Sequence, residues 1–164
     1  MASNSASKTT KRQTKKSGAS KTTAAQKVVS TSARANRNPV EISILVPVMN
    51  EAGNIRPLLD EICSDFAGRQ FEIIYIDDAS NDATADELTA ALDAVPQLRV
   101  LCHTQRAGQS AAIRSGRCQA NGALIGVLDG DGQNVPADFP ALESSVIAAS
   151  KDGKMVMAAG IRQR

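Results

Sequence analysis

The residues best suited to chemistry form one short run, Asp129-Gly130-Asp131-Gly132-Gln133, directly after the apolar stretch 123–128. Two carboxylates two positions apart, beside glycines that let the backbone turn tightly, can face one point. Oxygen ligands of this kind suit Mg²⁺ or Mn²⁺, which take few protein carboxylates and bridge to substrate phosphates. Such an ion would neutralise charge building on a departing diphosphate. A plain acidic turn is the alternative on this motif alone. A calcium EF-hand loop is set aside, because its sixth and twelfth positions need Gly and Glu. Those positions here are Asn134 and Pro140.

Asp77-Asp78-Ala79-Ser80 is a second cluster, again after an apolar run. Adjacent carboxylates repel unless a cation or a hydrogen-bond donor meets them. A base N–H or a ribose hydroxyl would serve. The bland reading is a helix start, with Ser80 or Asn81 as cap and the acids at the positive helix end. Gly108-Gln109-Ser110 also opens a helix, whose free N–H groups could face a phosphate or a sugar. Val46-Pro-Val-Met-Asn-Glu51 contains no GxGxxG, so the nicotinamide reading loses its main support. No GxxxxGK[ST] occurs either. His103 is the only histidine, and its place at a strand end reads as a surface or satisfied residue rather than a ligand. Cys63, Cys102 and Cys118 show no CxxC spacing and read as reduced, partly buried thiols.

These residues need elements that bring them together. Apolar runs predict strands over 42–48, 71–76, 98–102, 123–128 and 155–159. Helical spacing covers 55–66, with Asn54 as cap, then 82–94, 109–120 and 136–150. Strands alternating with helices predict an α/β fold, an open, mostly parallel sheet with a Rossmann-like nucleotide-binding half. Such sheets bind ligands beyond the carboxyl ends of their strands. Asn50, Glu51, Asp77, Asp78, Asp129 and Asp131 would all converge there. A signalling receiver domain would place its acid pair after the first strand and its phospho-acceptor after the third. Here the acids follow the second and fourth.

Composition divides the chain. Nine of its 19 Lys and Arg lie in residues 1–39 with no acid, leaving ten bases against all 17 acids in the remainder. Residues 1–39 hold almost no large apolar side chain and are expected to be a disordered basic tail. Its possible roles are contact with anionic lipid, with nucleic acid, or as a transit peptide. The bland reading is a solvated tail with none of these roles. Aromatics at 2% argue only against a base-stacking platform. No apolar run reaches the roughly 18–20 residues of a membrane span, and the N-terminus has no secretory h-region. The chain reads as soluble and at most peripheral to a membrane.

Together the motifs resemble family 2 glycosyltransferases of the GT-A fold. They look most like the polyprenyl-phosphate sugar transferases, such as dolichyl-phosphate mannosyltransferases. The matching residues are Val46–Glu51, Tyr75–Ser80 with Asp82 and Thr84, Gly108–Ala112 with Gly116, Asp129–Gln133 with Pro136, and Gly160-Ile-Arg162. The resemblance implies a single, inverting displacement that moves a sugar from a nucleotide-diphosphate sugar to a lipid phosphate. It implies a donor pocket of Pro47, Met49, Asn50, Glu51, Asp77, Asp78, Gly108 and Gln109, with Asp78 at the base. Asp129 and Asp131 would be the catalytic acids, holding Mg²⁺ or Mn²⁺ with Gln133. Arg162, with Arg164 beside it, would reach a phosphate. Location at the cytoplasmic face of a membrane follows from the lipid acceptor. Among the functional roles of the tail, lipid contact is favoured, because such an acceptor would make it useful. A polysaccharide acceptor, or an inactive fragment acting through its tail, are the alternatives.

The departures from the family pattern are specific. Met49 stands where Tyr is usual, Ala79 where Gly is usual, Gly130 where Ala is common, and Gly132 where a bulkier residue is common. The two Gly changes are expected to loosen the loop without removing a ligand. Family members continue well beyond the Gly-x-Arg strand, so residues 40–164 are expected to be a donor-binding half, truncated at its C-terminus.

Overall fold

The computed structural model describes residues 26–29, 39–150 and 155–160. Five strands form one sheet: β1 (Gln26–Val29), β2 (Ile42–Val48), β3 (Phe71–Asp77), β4 (Leu98–His103) and β5 (Leu124–Val127). Their order is β1-β4-β3-β2-β5. The four strands β2 to β5 are parallel. β1 adds an antiparallel edge to β4, pairing Gln26 with His103. The expected tail therefore includes one strand. Its remaining residues, 1–25 and 30–38, lie outside the described residues.

Helices α1 (Ile55–Asp65), α2 (Thr84–Ala91), α3 (Gln109–Gln119) and α4 (Phe139–Ala149) follow the strands, with a 3₁₀ turn at Pro136–Asp138 before α4. Helices on both faces explain why β2 is buried along its whole length. Ile44, Val46 and Val48 face one core with Leu58, Leu59, Ile62 and Tyr75. Leu45 joins Ile74, Ile76, Leu101 and Ala112 in a second core. All three phenylalanines pack together, Phe66 lying 5.6 Å from both Phe71 and Phe139. The Phe139 ring rests on Gly126, where any Cβ would collide with it. Aromatic area is thus spent on the core. The Tyr75 hydroxyl is buried with no hydrogen-bond partner among the described residues.

Two expectations fail here. Residues 155–159 form no strand, and Met155 and Met157 are 93% and 88% exposed. Their apolar run meets no partner strand, and an unpaired run has no ladder to join. Asn54 does not cap α1 with its side chain. Its Nδ2 donates instead to Glu51 Oε2 at 2.9 Å.

A buried polar network ties the amino ends of the strands together. Glu72 is 6% exposed. It accepts hydrogen bonds from the Ser43 hydroxyl at 2.6 Å, the Asn121 amide N–H at 2.6 Å and Arg99 Nη1 at 2.9 Å. Arg99 also donates to the Gln119 carbonyl, and the Gly122 N–H to Ser43 Oγ. Three strands and the α3–β5 connection meet on one carboxylate. Burial works to raise the Glu72 carboxyl, but the donors outweigh it and hold it below the usual glutamate range.

Glu72→Ala should cost about 3 kcal/mol, because it takes the acceptor from the Ser43 hydroxyl, Arg99 and the Asn121 N–H groups. Urea unfolding measures this. A carboxyl held low stabilises the fold at neutral pH, and that share is lost as pH falls below the ordinary glutamate range. The variant should therefore lose less stability on acidification than the parent.

Candidate functional site

A cleft of about 440 Å³ opens at the carboxyl ends of the parallel strands. Each connection leaving those ends contributes to it. The β2–α1 loop supplies Met49 and Glu51, and β3 ends beside Asp78. The β4–α3 loop supplies Arg106, Gly108 and Gln109, and the loop after β5 supplies Asp129 and Asp131. Pro47 belongs to the wall and Ala112 to the lining as well. Of the residues read from the sequence, Pro47, Met49, Glu51, Asp78, Gly108, Gln109, Asp129 and Asp131 are brought together. Asn50, Asp77 and Gln133 do not line the cleft. Arg162 and Arg164 lie outside the described residues.

Asn50 and Asp77 are braces. Asn50 has a left-handed backbone, φ 59°, and its Oδ1 accepts the Asn81 N–H at 2.9 Å. Asp77 Oδ1 accepts the Ser80 N–H at 2.9 Å. The four successive amides of residues 50–53 are taken up in order by side chains of the β3–α2 segment. Asn50 N–H donates to Ser80 Oγ, Glu51 N–H to Thr84 Oγ1, Ala52 N–H to Asp82 Oδ2 and Gly53 N–H to Glu87. Neither Ser80 nor Asn81 caps α2. Asp82 Oδ1 accepts the Thr84 N–H instead. Hydrogen bonds from Thr84 hold the Asp82 carboxyl below its usual range.

Asp78 is likewise satisfied from within. It is 4% exposed. Its Oδ1 meets His103 Nδ1 at 2.7 Å and accepts the Ala107 N–H at 2.9 Å. Its Oδ2 accepts the Gly108 N–H at 2.6 Å. Burial pushes the carboxyl up, but these donors prevail and keep it below the usual range. The acid pair therefore needs no bound ligand to relieve it, contrary to the expectation from charge alone. The Gly108 N–H is also not free for a phosphate, since Asp78 holds it.

The glycine-flanked acids stand on the open side. Asp129 Oδ1 accepts Gln109 Nε2 at 2.7 Å, and Oδ2 accepts Asn134 Nδ2 at 3.2 Å. Asp131 Oδ1 accepts the Gln133 N–H at 3.0 Å. Both acids are exposed. Among the described residues no group of three or more His, Cys, Asp or Glu encloses an ion. Two exposed carboxylates on one cleft fit a different arrangement, a Mg²⁺- or Mn²⁺-like ion completed by ligand oxygens and water.

Gly130 does not loosen this loop. It is buried, and a Cβ there would strike the Val48 side chain. The glycine lets the Asp129–Asp131 turn lie directly on the end of β2. Ala79 carries the strain instead, with φ 62° in the left-handed region that Gly adopts freely. Arg106 was missed in the sequence. It is the one cationic residue lining the cleft among the described residues. Its signal was position, between a strand's carboxyl end and the Gly108 turn.

Ala79→Gly should stabilise the chain by up to about 1 kcal/mol, the relief of left-handed strain less the added freedom of the unfolded chain. Gly130→Ala should cost about 1–3 kcal/mol through overpacking. Adding Val48→Ala to it should recover part of that cost. Denaturant unfolding of these variants checks all three.

Known proteins resemble this chain in sequence and in fold. Residues 43–158 match the family model for glycosyl transferase family 2. A dodecaprenyl-phosphate galacturonate synthase of Rhizobium johnstonii is 34% identical over 122 residues, covering 69% of this chain and 35% of that enzyme. An undecaprenyl-phosphate 4-deoxy-4-formamido-L-arabinose transferase of Klebsiella pneumoniae is 40% identical over 106 residues, covering 62% of this chain and 32% of that enzyme. The chain thus spans about a third of the length of these relatives. A Pyrobaculum calidifontis mannosyltransferase, solved with GDP-Man and Mn²⁺, superposes with a TM-score of 0.57 at 22% identity, over 71% of this chain and 34% of that one. S. aureus TarS 1–349, solved with UDP-GlcNAc, gives 0.58 at 20% identity, over 76% and 37%. With the GT-A architecture and the family match in agreement, the chain belongs to the family 2 glycosyltransferases.

Proposed function

We propose that residues 40–164 bind the nucleotide-diphosphate sugar of a transferase that glycosylates a polyprenyl phosphate with inversion. One observation carries the reading. Asp129, Asp131 and Arg106 converge with Asp78 on a single cleft at the strand ends of a family 2 chain. Polyprenyl phosphates are the acceptors named for both curated relatives, which favours a lipid phosphate over a polysaccharide. A Mg²⁺ or Mn²⁺ ion held by Asp129 and Asp131, with Gln133 beside them, would stabilise the departing diphosphate.

The chain's own residues do the rest. Gln109 and Asn134 hold the two oxygens of Asp129 in place. Arg106 offers a positive charge to a phosphate or sugar oxygen. Met49 and Pro47 supply apolar wall against a base or ribose. The lipid phosphate is anionic before it attacks, so it needs little general-base help. Positioning and electrostatic stabilisation carry the rate. Arg162 is proposed to reach a phosphate.

A thermal-shift panel of the full chain with GDP, UDP, CDP and ADP, each with and without Mn²⁺, tests this. One diphosphate should stabilise the protein in a metal-dependent way. The gain should be about 2.7 kcal/mol at one hundred times Kd. Asp131→Ala should abolish it. A well-folded chain indifferent to every nucleotide and metal would refute a self-sufficient donor site.

The basic stretch 1–39 is proposed to draw the chain to the anionic cytoplasmic face of a membrane, near its acceptor. No helix among the described residues is long and apolar enough to cross a membrane. Each Lys or Arg near such a surface adds about 1 kcal/mol of attraction. Deleting residues 1–25, which removes Lys8, Lys11, Arg12, Lys15, Lys16 and Lys21 but spares β1, should weaken binding to phosphatidylserine vesicles at 0.1 M salt. Equal binding with and without residues 1–25 would count against the idea.

A further inference from the structure

The only histidine lies behind the cleft rather than in it. His103 ends β4, is 5% exposed, and lines no part of the cavity. Its Nδ1 is 2.7 Å from Asp78 Oδ1, and its Nε2 is 2.9 Å from Ser115 Oγ on α3. Ser, His and Asp in hydrogen-bond sequence have the composition of a nucleophilic triad. The placement argues against that role, because neither Ser115 nor His103 lines the cleft.

The chain of bonds runs toward the cleft instead. An ionised Asp78 can only accept, so Nδ1 carries the hydrogen that joins them. A hydroxyl both donates and accepts, so Ser115 matches the ring in either form. Oδ1 and Oδ2 of Asp78 then hold the amides of Ala107 and Gly108. The next residue, Gln109, donates from Nε2 to Asp129 Oδ1. Gly108 enters α3 with φ 90°, so the turn is sharp and its direction depends on where those amides are held. Arg106 lies in the same loop, between His103 and the turn.

We propose that His103 is a positioning residue of the donor site, fixing Asp78 so that its carboxylate aims the Arg106–Gln109 loop at Asp129. Ser115 anchors the far side of the ring to α3. This rests on the donor-site reading for its consequence in binding, but not for the loop itself.

Two readouts on the full chain separate those parts. The first is hydrogen exchange at the Ala107 and Gly108 amides, followed by NMR without ligand. The second is Mn²⁺-dependent affinity for whichever of GDP, UDP, CDP or ADP the parent binds. His103→Leu keeps bulk but loses both bonds. It should speed exchange at these two amides at least tenfold, leave the amides of residues 50–53 unchanged, and weaken nucleotide binding at least tenfold. His103→Asn places an amide N–H near the position of Nδ1 and should restore both. His103→Gln reaches toward Ser115 and should restore neither. If His103→Leu does not fold, the Asn and Gln variants decide, and Gln outperforming Asn overturns the proposal. Unchanged exchange in His103→Leu, or affinity within twofold of the parent, also overturns it. A parent that binds no nucleotide defeats the donor reading, while the exchange data still decide whether His103 holds the loop.

Discussion

One connection satisfies the backbone on both sides of it. The segment from Asp77 to Glu87 supplies side-chain acceptors to the β2–α1 loop through Ser80, Asp82, Thr84 and Glu87. It supplies Asp78 to the β4–α3 loop. Loop amides near a cleft would otherwise need water or ligand as partners. Here they are committed to protein acceptors before any ligand arrives. The cleft's walls are therefore set by the fold, and its open carboxylates, Asp129 and Asp131, are left to face whatever binds. Preorganised polar groups of this sort lose little on binding.

Most of the fold was legible because its signals are local. Ile42–Val48 is a continuous apolar run, and only a strand covered on both faces is buried so completely. Helical spacing from Ile55 to Ile62 matches the face that enters the core. The failures involve partners that sequence does not show. Residues 155–159 have the composition of a strand but make no ladder. Gln26–Val29 is only four residues long inside a polar, basic stretch, yet pairs with β4 through backbone groups that any sequence carries.

The site was legible in membership more than in role. The acids Asp78, Asp129 and Asp131 were expected in one place, and strand topology puts them there. What each carboxylate does depends on which amides approach it, and those come from loops about thirty residues away. Asp78 looked like a group without partners, and three protein donors already meet it. Gly130 looked like slack and is a close contact with Val48. Arg106 gave no motif at all, because a single exposed arginine in a loop has no periodicity to betray it.

The buried Glu72 network and the cleft occupy opposite ends of the same strands. Ser43, Glu72 and Arg99 lie toward the amino ends of β2, β3 and β4, while Val48, Asp77 and His103 close the carboxyl ends. Residues that hold the sheet in register are thus separated along each strand from residues that meet a ligand. Such a division lets selection, or a designer, rewrite the loops at one pole while the other keeps the scaffold standing. A family that passes many different sugars to many different carriers would profit from that independence.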